Sequence, residues 1–183
     1  TWVFGRNDGQ AIATRLLAGA GYAYGNSNAL PFEKHFYAGG ANSLRGWQAR
    51  AVGPGLAPMD TTFIIPNQTG DMKLEANVEY RFNMFWKIAG AVFADAGNVW
   101  TLRENGTAGD IPISKFTWRN FGESIAMNWG VGIRLDLNFL LLRLDMGMRV
   151  HDPARADGDR WLAPRQWLRR GNYALHFGVG YPF

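Results

Sequence analysis

The sequence predicts an all-β fold, an antiparallel sheet whose strands cross a membrane, and three observations carry that prediction. Six segments alternate apolar and polar residues with period two over about ten to thirteen residues. That exceeds the globular mode of about five or six and is long enough for a tilted bilayer crossing of about nine to eleven. Aromatic residues gather near the ends of these segments, where interfacial girdles sit. Short and long connections alternate strictly along the chain.

Composition supports the same class. The chain has 183 residues, 14% aromatic and 19% charged, with 23 glycines and no cysteine. This suits one domain of β-structure with many turns, and the lack of cysteine fits an envelope protein. A net charge of +4, with no basic run beyond Arg169-Arg170, leaves no nucleic-acid footprint. The longest aliphatic run is Phe139 to Leu142, far short of the roughly 18 apolar residues of a spanning helix. Membrane residence is therefore as a barrel. The chain starts at Thr1 with neither initiator methionine nor signal peptide, which predicts the C-terminal part of a longer polypeptide.

The elements follow in order. The first segment sets Ile12, Leu16, Ala18, Ala20, Tyr22 and Tyr24 against Arg15, Gly19 and Gly21. A long connection, 26–70, comes next. From Lys73 to Phe82, Leu74, Ala76, Val78, Tyr80 and Phe82 oppose Lys73, Glu75, Asn77, Glu79 and Arg81. A turn near Asn83-Met84 leads into 86–99, where alternation is less clean because Phe93 shares a face with Lys87 and Asp95. After a long connection, 101–123, the segment 125–137 sets Met127, Trp129, Val131, Ile133 and Leu135 against Asn128, Gly130, Gly132, Arg134 and Asp136. A turn at Asn138-Phe139 opens the next strand, in which Leu142, Leu144, Met146 and Met148 oppose Arg143, Asp145, Gly147 and Arg149. The connection 152–171 is again long. The last segment sets Tyr173, Leu175, Phe177, Val179, Tyr181 and Phe183 against Asn172, His176, Gly178 and Gly180.

Polar faces that mix charge with glycine suit a watery or plugged lumen, so the apolar faces are assigned to lipid. Tight turns are periplasmic and long loops external in such barrels. The loop 26–70 is thus extracellular and Phe183 lies at the periplasmic rim. Six strands do not close around a lumen, since bacterial barrels start at about eight, and open edges in lipid leave costly unpaired backbone groups. Further strands are expected from N-terminal sequence or other chains.

One loop stretch stands out: Phe36-Tyr37-Ala38-Gly39-Gly40-Ala41-Asn42-Ser43-Leu44-Arg45-Gly46-Trp47. A connection of this length is uncommon unless functional, and an arginine folded back into a lumen needs a carboxylate. The stretch resembles the loop motif of the Omp85 superfamily, Val/Ile-Arg-Gly-Phe/Tyr preceded by Gly-Gly-x-x-Ser/Thr, with Leu44 and Trp47 as mild departures. Phe93-Ala94-Asp95-Ala96-Gly97 resembles the superfamily's aromatic-x-Asp-x-Gly strand signature, and Glu79 matches the acidic position of the preceding strand. The resemblance implies that Arg45 pairs with Asp95 and Glu79 inside the barrel. A turn at Asn83-Met84 instead sets Asp95 opposite 72–75, which makes Glu75 a rival partner and Lys73 a competitor for Asp95. Plain cross-strand salt bridges are the alternative.

The terminal His176-Phe177-Gly178-Val179-Gly180-Tyr181-Pro182-Phe183 fits the outer-membrane β-signal at His176, Gly178, Tyr181 and Phe183. Together the resemblance covers nearly the whole chain, as the C-terminal six strands of a barrel of about sixteen. Its wording is nearest the BamA/TamA-like branch, the bacterial surface antigen D15 type. What it implies is a non-enzymatic factor of the bacterial outer membrane that assembles or translocates proteins through a lateral barrel seam. The implied partners are outer-membrane lipids, unfolded outer-membrane protein clients, the remaining N-terminal strands and POTRA domains, and accessory lipoproteins. The rivals are a passive pore and a barrel exporting its own fused enzyme. No catalytic residue, metal or cofactor is expected. His151-Asp152 lacks a nucleophile-elbow serine, no cluster has metal-ligand spacing, and Asp152, Asp157 and Asp159 read as a solvated turn.

Overall fold

The computed structural model describes residues 2–4, 10–25, 30–59, 68–102 and 112–183. Its strands are β1 (Trp2–Phe4), β2 (Gln10–Ala20), β3 (Met72–Phe85), β4 (Ile88–Trp100), β5 (Ala126–Asp136), β6 (Leu141–His151) and β7 (Tyr173–Val179). They form one antiparallel sheet in the order β1-β2-β3-β4-β5-β6-β7, so β1 and β7 are its two edges. The six long segments are thus all strands. The short β1, paired with β2 through Trp2↔Thr14 to Phe4↔Ile12, is a seventh that the sequence reading did not include. Three residues are too few to show a period.

Burial in this sheet is inverted. The side of β3 to β7 that carries charge is buried, including Glu75, Asn77, Glu79, Asp95, Asn128, Arg134, Arg143 and Asp145. The apolar side is bare, with Val78, Val131, Ile133, Leu144, Leu175, Phe177 and Val179 all exposed. A soluble sheet does the reverse, whereas a barrel with lipid outside and a filled interior requires this arrangement. Exposed aromatics flank the bare face, with Tyr22, Tyr24, Trp118 and Trp161 toward the long connections and Phe85, Trp86, Phe139 and Tyr181 toward the short turns. Trp100, an aromatic residue at the end of β4, is buried rather than part of this girdle. Its indole N–H donates to Ser124 Oγ at 2.9 Å, and its ring stacks on Phe121 and meets Phe116 edge-on.

The β3–β4 turn lies further along than Asn83-Met84. Phe85 pairs with Ile88, leaving Trp86 and Lys87 as the two-residue loop, with Trp86 at φ 51° and a bulge between Asn83 and Phe85. Asparagine at 83 signals a turn in water. At a membrane rim the run Met84-Phe85-Trp86 gains by extending the hairpin, and all three side chains are exposed. The β5–β6 turn does fall at Asn138-Phe139, with Asn138 at φ 72° and Leu137 N–H bonded to Leu140 O.

The new register matters for function. Asp95 pairs with Asn77, not with 72–75. Reading across the sheet gives one polar row, Arg15–Asn77–Asp95–Asn128–Arg149, on β2 to β6. The neighbouring row on the same face is Ala13–Glu79–Phe93–Gly130–Gly147–Ala174. Over these rows lies the connection after β2, whose Ala38, Leu44, Trp47, Ala51 and Val52 cluster with Val99 and Ala126.

Candidate functional site: the Arg45 loop on the polar face

The loop is shaped by its glycines. Gly39 and Gly40 adopt φ of 101° and 100°, where side chains are strained. A Cβ on Gly39 would also overlap the Gln48 carbonyl oxygen. The tight path closes with Gly40 N–H on Trp47 O at 3.0 Å and Trp47 N–H on Leu44 O at 3.2 Å. This turns Leu44 and Trp47 into the apolar cluster and aims Arg45 at the strands. Gly46 lets the chain pass close to the sheet, where a Cβ would come within 2.7 Å of Asn128 Cβ. Below Arg45, Gly147 has no side chain, and any added there would strike the Arg45 carbonyl.

Arg45 is fully buried and meets both of the acids that the resemblance named. Its Nε donates to Asp95 Oδ2 at 3.0 Å and Nη2 to Asp95 Oδ1 at 2.8 Å, a bidentate fork. Its backbone N–H reaches the same carboxylate at 3.1 Å. Nη1 forms the ion pair with Glu79. The guanidinium also lies 3.5 Å from the centroid of the Phe93 ring, a cation–π contact out of water. Phe93 therefore belongs on the polar face, which accounts for the imperfect alternation of β4. Burial alone lowers the pKa of Arg45, but Asp95 and Glu79 outweigh it and hold the group above its ordinary value. The site is a permanent cation clamped between fixed anions.

Each acid is itself supported. Asp95 accepts two further bonds, from Asn77 Nδ2 and Asn128 Nδ2, both at 2.9 Å. Glu79 takes Arg81 Nε at 2.7 Å and Arg134 Nη2 at 3.3 Å. Arg134 sits directly opposite Arg143, a like-charge pair unfavourable in itself. Asp145 relieves it, at 2.5 Å from Arg134 Nη1 and 3.2 Å from Arg143 Nη1.

Glu75, the rival partner, does not meet Arg45. It pairs with Arg15 and with Lys73 Nζ at 2.8 Å, and accepts from Ser43 Oγ at 2.5 Å. Lys73 accordingly serves Glu75 rather than Asp95. The reason is the register: Glu75 stands one row above Asp95, under Ser43 of the loop, while Glu79 stands one row below, under Arg45. Among the C-terminal residues, His176 and Gly178 stay on the polar side of β7, and Tyr181 is exposed. Phe183 departs from the apolar stripe on which alternation put it. The strand ends at Val179, Gly180 takes φ 80°, and the Phe183 ring comes 5.0 Å from the Arg15 guanidinium and 5.9 Å from that of Arg81.

Sequence reasoning missed most of the supporting residues. Three loop carbonyls accept from β2 and β3: Asn42 O from Arg15 at 2.7 Å, Ser43 O from Asn77 at 3.1 Å and Tyr37 O from Lys73 at 3.0 Å. Alternation put all three donors on the correct face, but only register says which lie under the loop. His151 forms no acid–base pair with Asp152, since its Nδ1 donates to Ile125 O at 2.6 Å. Asp152 is taken by Arg149 at 3.0 Å and Arg155 at 3.6 Å. Among the described residues no group of His, Cys, Asp and Glu is placed to hold a metal.

Comparison with known proteins bears on this geometry. No curated protein matches the chain. Among solved structures, the crystal structure of BamA from Haemophilus ducreyi lacking POTRA domains 1–3 superposes with a TM-score of 0.63 at 17% identity. The match covers 96% of this chain and 32% of that one, so the chain spans about a third of the BamA chain, and what is shared at this identity is the fold. A family model described as the Omp85 superfamily domain matches residues 1–183. An inverted sheet matched along its whole length by that model is the C-terminal portion of a bacterial outer-membrane β-barrel, and the chain belongs to the Omp85 superfamily.

Proposed function

We propose that this chain is the working portion of a non-enzymatic outer-membrane factor that inserts or translocates other proteins. Clients engage the free edge of β7 at the barrel seam, and the Arg45 loop braces the interior against the strain. The observation that carries this reading is the buried Arg45–Asp95–Glu79 site. Tying a long loop to the barrel wall with paired buried charges, each costly to desolvate, favours one fixed loop position over a loose constriction. Specificity of conformation is the return on that cost, and a barrel that opens and recloses needs it. Gly180, at φ 80° with open space around it, leaves the end of the last strand thinly packed, which favours bending there, while Gly178 makes room for the Arg143 guanidinium. In this reading His176, Gly178, Tyr181 and Phe183 form the signal by which the barrel is itself assembled. The partners are lipids around the bare face, unfolded outer-membrane proteins at the edge, N-terminal strands and POTRA domains of the same polypeptide, and accessory lipoproteins.

The test is Arg45→Ala in the full-length protein. The barrel should still accumulate in the outer membrane and shift on heating, while folded client proteins fall several-fold. Client levels equal to wild type would remove this reading.

A further inference from the structure

The bonds that hold the loop are not confined to the acids of β3 and β4. On the other side, three donors from the last two strands grip the loop by its backbone. Arg143 Nη1 donates to Ala41 O at 3.0 Å, Arg149 Nε to Gly46 O at 3.0 Å, and His176 Nε2–H to Arg45 O at 3.1 Å. Since a carbonyl only accepts, the proton of that last bond is on Nε2 of the ring.

His176 differs from the two arginines in its position. It is the central residue of β7, the edge strand, and faces Asp145 on β6. Its neighbours Leu175 and Phe177 point to the bare face, so His176 is turned inward. The reach is possible because Gly147 clears the space through which the Arg45 carbonyl descends. The arginine clamped by Asp95 and Glu79 through its side chain is thereby held by β7 through its own backbone. Loop and edge strand share one residue.

We propose that His176 is a positioning residue that couples the sheet edge to the Arg45 loop, so that a strand pairing with β7 is registered as a change in loop docking. This rests on the seam reading above. A client that bends or rotates β7 lengthens the His176–Arg45 bond. By reciprocity, loss of loop docking loosens β7 by the same factor.

Hydrogen exchange on the full-length protein in detergent or nanodiscs tests the coupling, with His176→Asn and His176→Gln as paired variants. Both keep a polar group at the position, so barrel assembly is served alike. Glutamine carries its N–H about as far as Nε2, whereas asparagine falls short of the carbonyl. The amides of Gly40, Ser43, Arg45 and Trp47, bonded within the loop or to Asp95, are the reporters. We expect His176→Asn to speed their exchange about fivefold, the worth of one net hydrogen bond, and His176→Gln to stay within twofold of wild type. Wild-type exchange in His176→Asn overturns the proposal, and so does equal acceleration in both variants, which would mean packing alone. Should His176→Asn not accumulate, Asp95→Asn supplies the reciprocal measurement: the β7 amides must exchange faster, and unchanged exchange there also overturns it. No client is present in either measurement, so a negative result leaves the assembly reading standing.

Discussion

Replacing Asp95 by asparagine changes almost no volume and should nevertheless release the loop. The carboxylate accepts five hydrogen bonds: Arg45 Nη2 and Asn77 Nδ2 on Oδ1, and Arg45 N, Arg45 Nε and Asn128 Nδ2 on Oδ2. An amide must place its NH2 on one side or the other. Put at Oδ2 it confronts three donors, and put at Oδ1 it confronts two. The second arrangement is the lesser loss, yet it still strands Arg45 Nη2 and Asn77 Nδ2 and removes the charge that faces a fully buried guanidinium. Breaking one partner of a buried pair costs about 3–5 kcal/mol. At 1.36 kcal/mol per tenfold change, the undocked population of the loop rises by roughly 100-fold to several thousand-fold. Trypsin reads this directly, because the Arg45–Gly46 bond is buried when docked and a substrate when not. With opening faster than cleavage, the cutting rate follows the open population. Full-length protein in its membrane should be cut after Arg45 at least about 100-fold faster in Asp95→Asn, with the barrel still shifting on heating. A change under about threefold would mean that Asp95 does not hold the loop, and the energetic account of the site would fail.

Two further outcomes follow from packing and from the membrane. Gly147→Ala places a methyl group against the Arg45 carbonyl carbon and oxygen. Backbone on both sides prevents relief, so it should undock the loop as Asp95→Asn does in the same trypsin assay, while Gly122→Ala, with open space around it, should not. Val131 is the middle residue of β5 and is 44% exposed on the bare face. Val131→Arg should cost about 2–4 kcal/mol if that face meets hydrocarbon at the midplane, read as a lower urea midpoint for unfolding in lipid vesicles. An unchanged midpoint would place the face in water.

Much of the site was legible in the sequence. Arg45, Asp95 and Glu79 each stand in a recognisable local pattern, and alternation alone put the two acids on the same side as Arg15, Asn77, Arg134, Arg143 and Arg149. The resemblance named Glu79, but strand alternation and the expected turn could not exclude Glu75. Four residues separate them on one face of one strand, and each is as acidic as the other. The choice depends on where the β3–β4 hairpin turns, and Asn83 misleads because its turn preference belongs to water while Trp86 answers to the membrane rim. Backbone carbonyls as ligands left no trace in the sequence either, since every residue has one.

By itself, then, the sequence determined the strands, the side of the sheet each residue faces, and the loop that carries the arginine. Period-two alternation is a property of neighbours along the chain, and a strand cannot change it without exposing its backbone or reversing its faces. Only the tertiary structure decided the rows across the sheet, and with them that Ser43 covers Glu75, Arg45 covers Glu79, and His176 reaches the Arg45 carbonyl. Those pairings join residues up to 131 positions apart. Their register is set by hairpin geometry and glycine clearance, which no local pattern encodes.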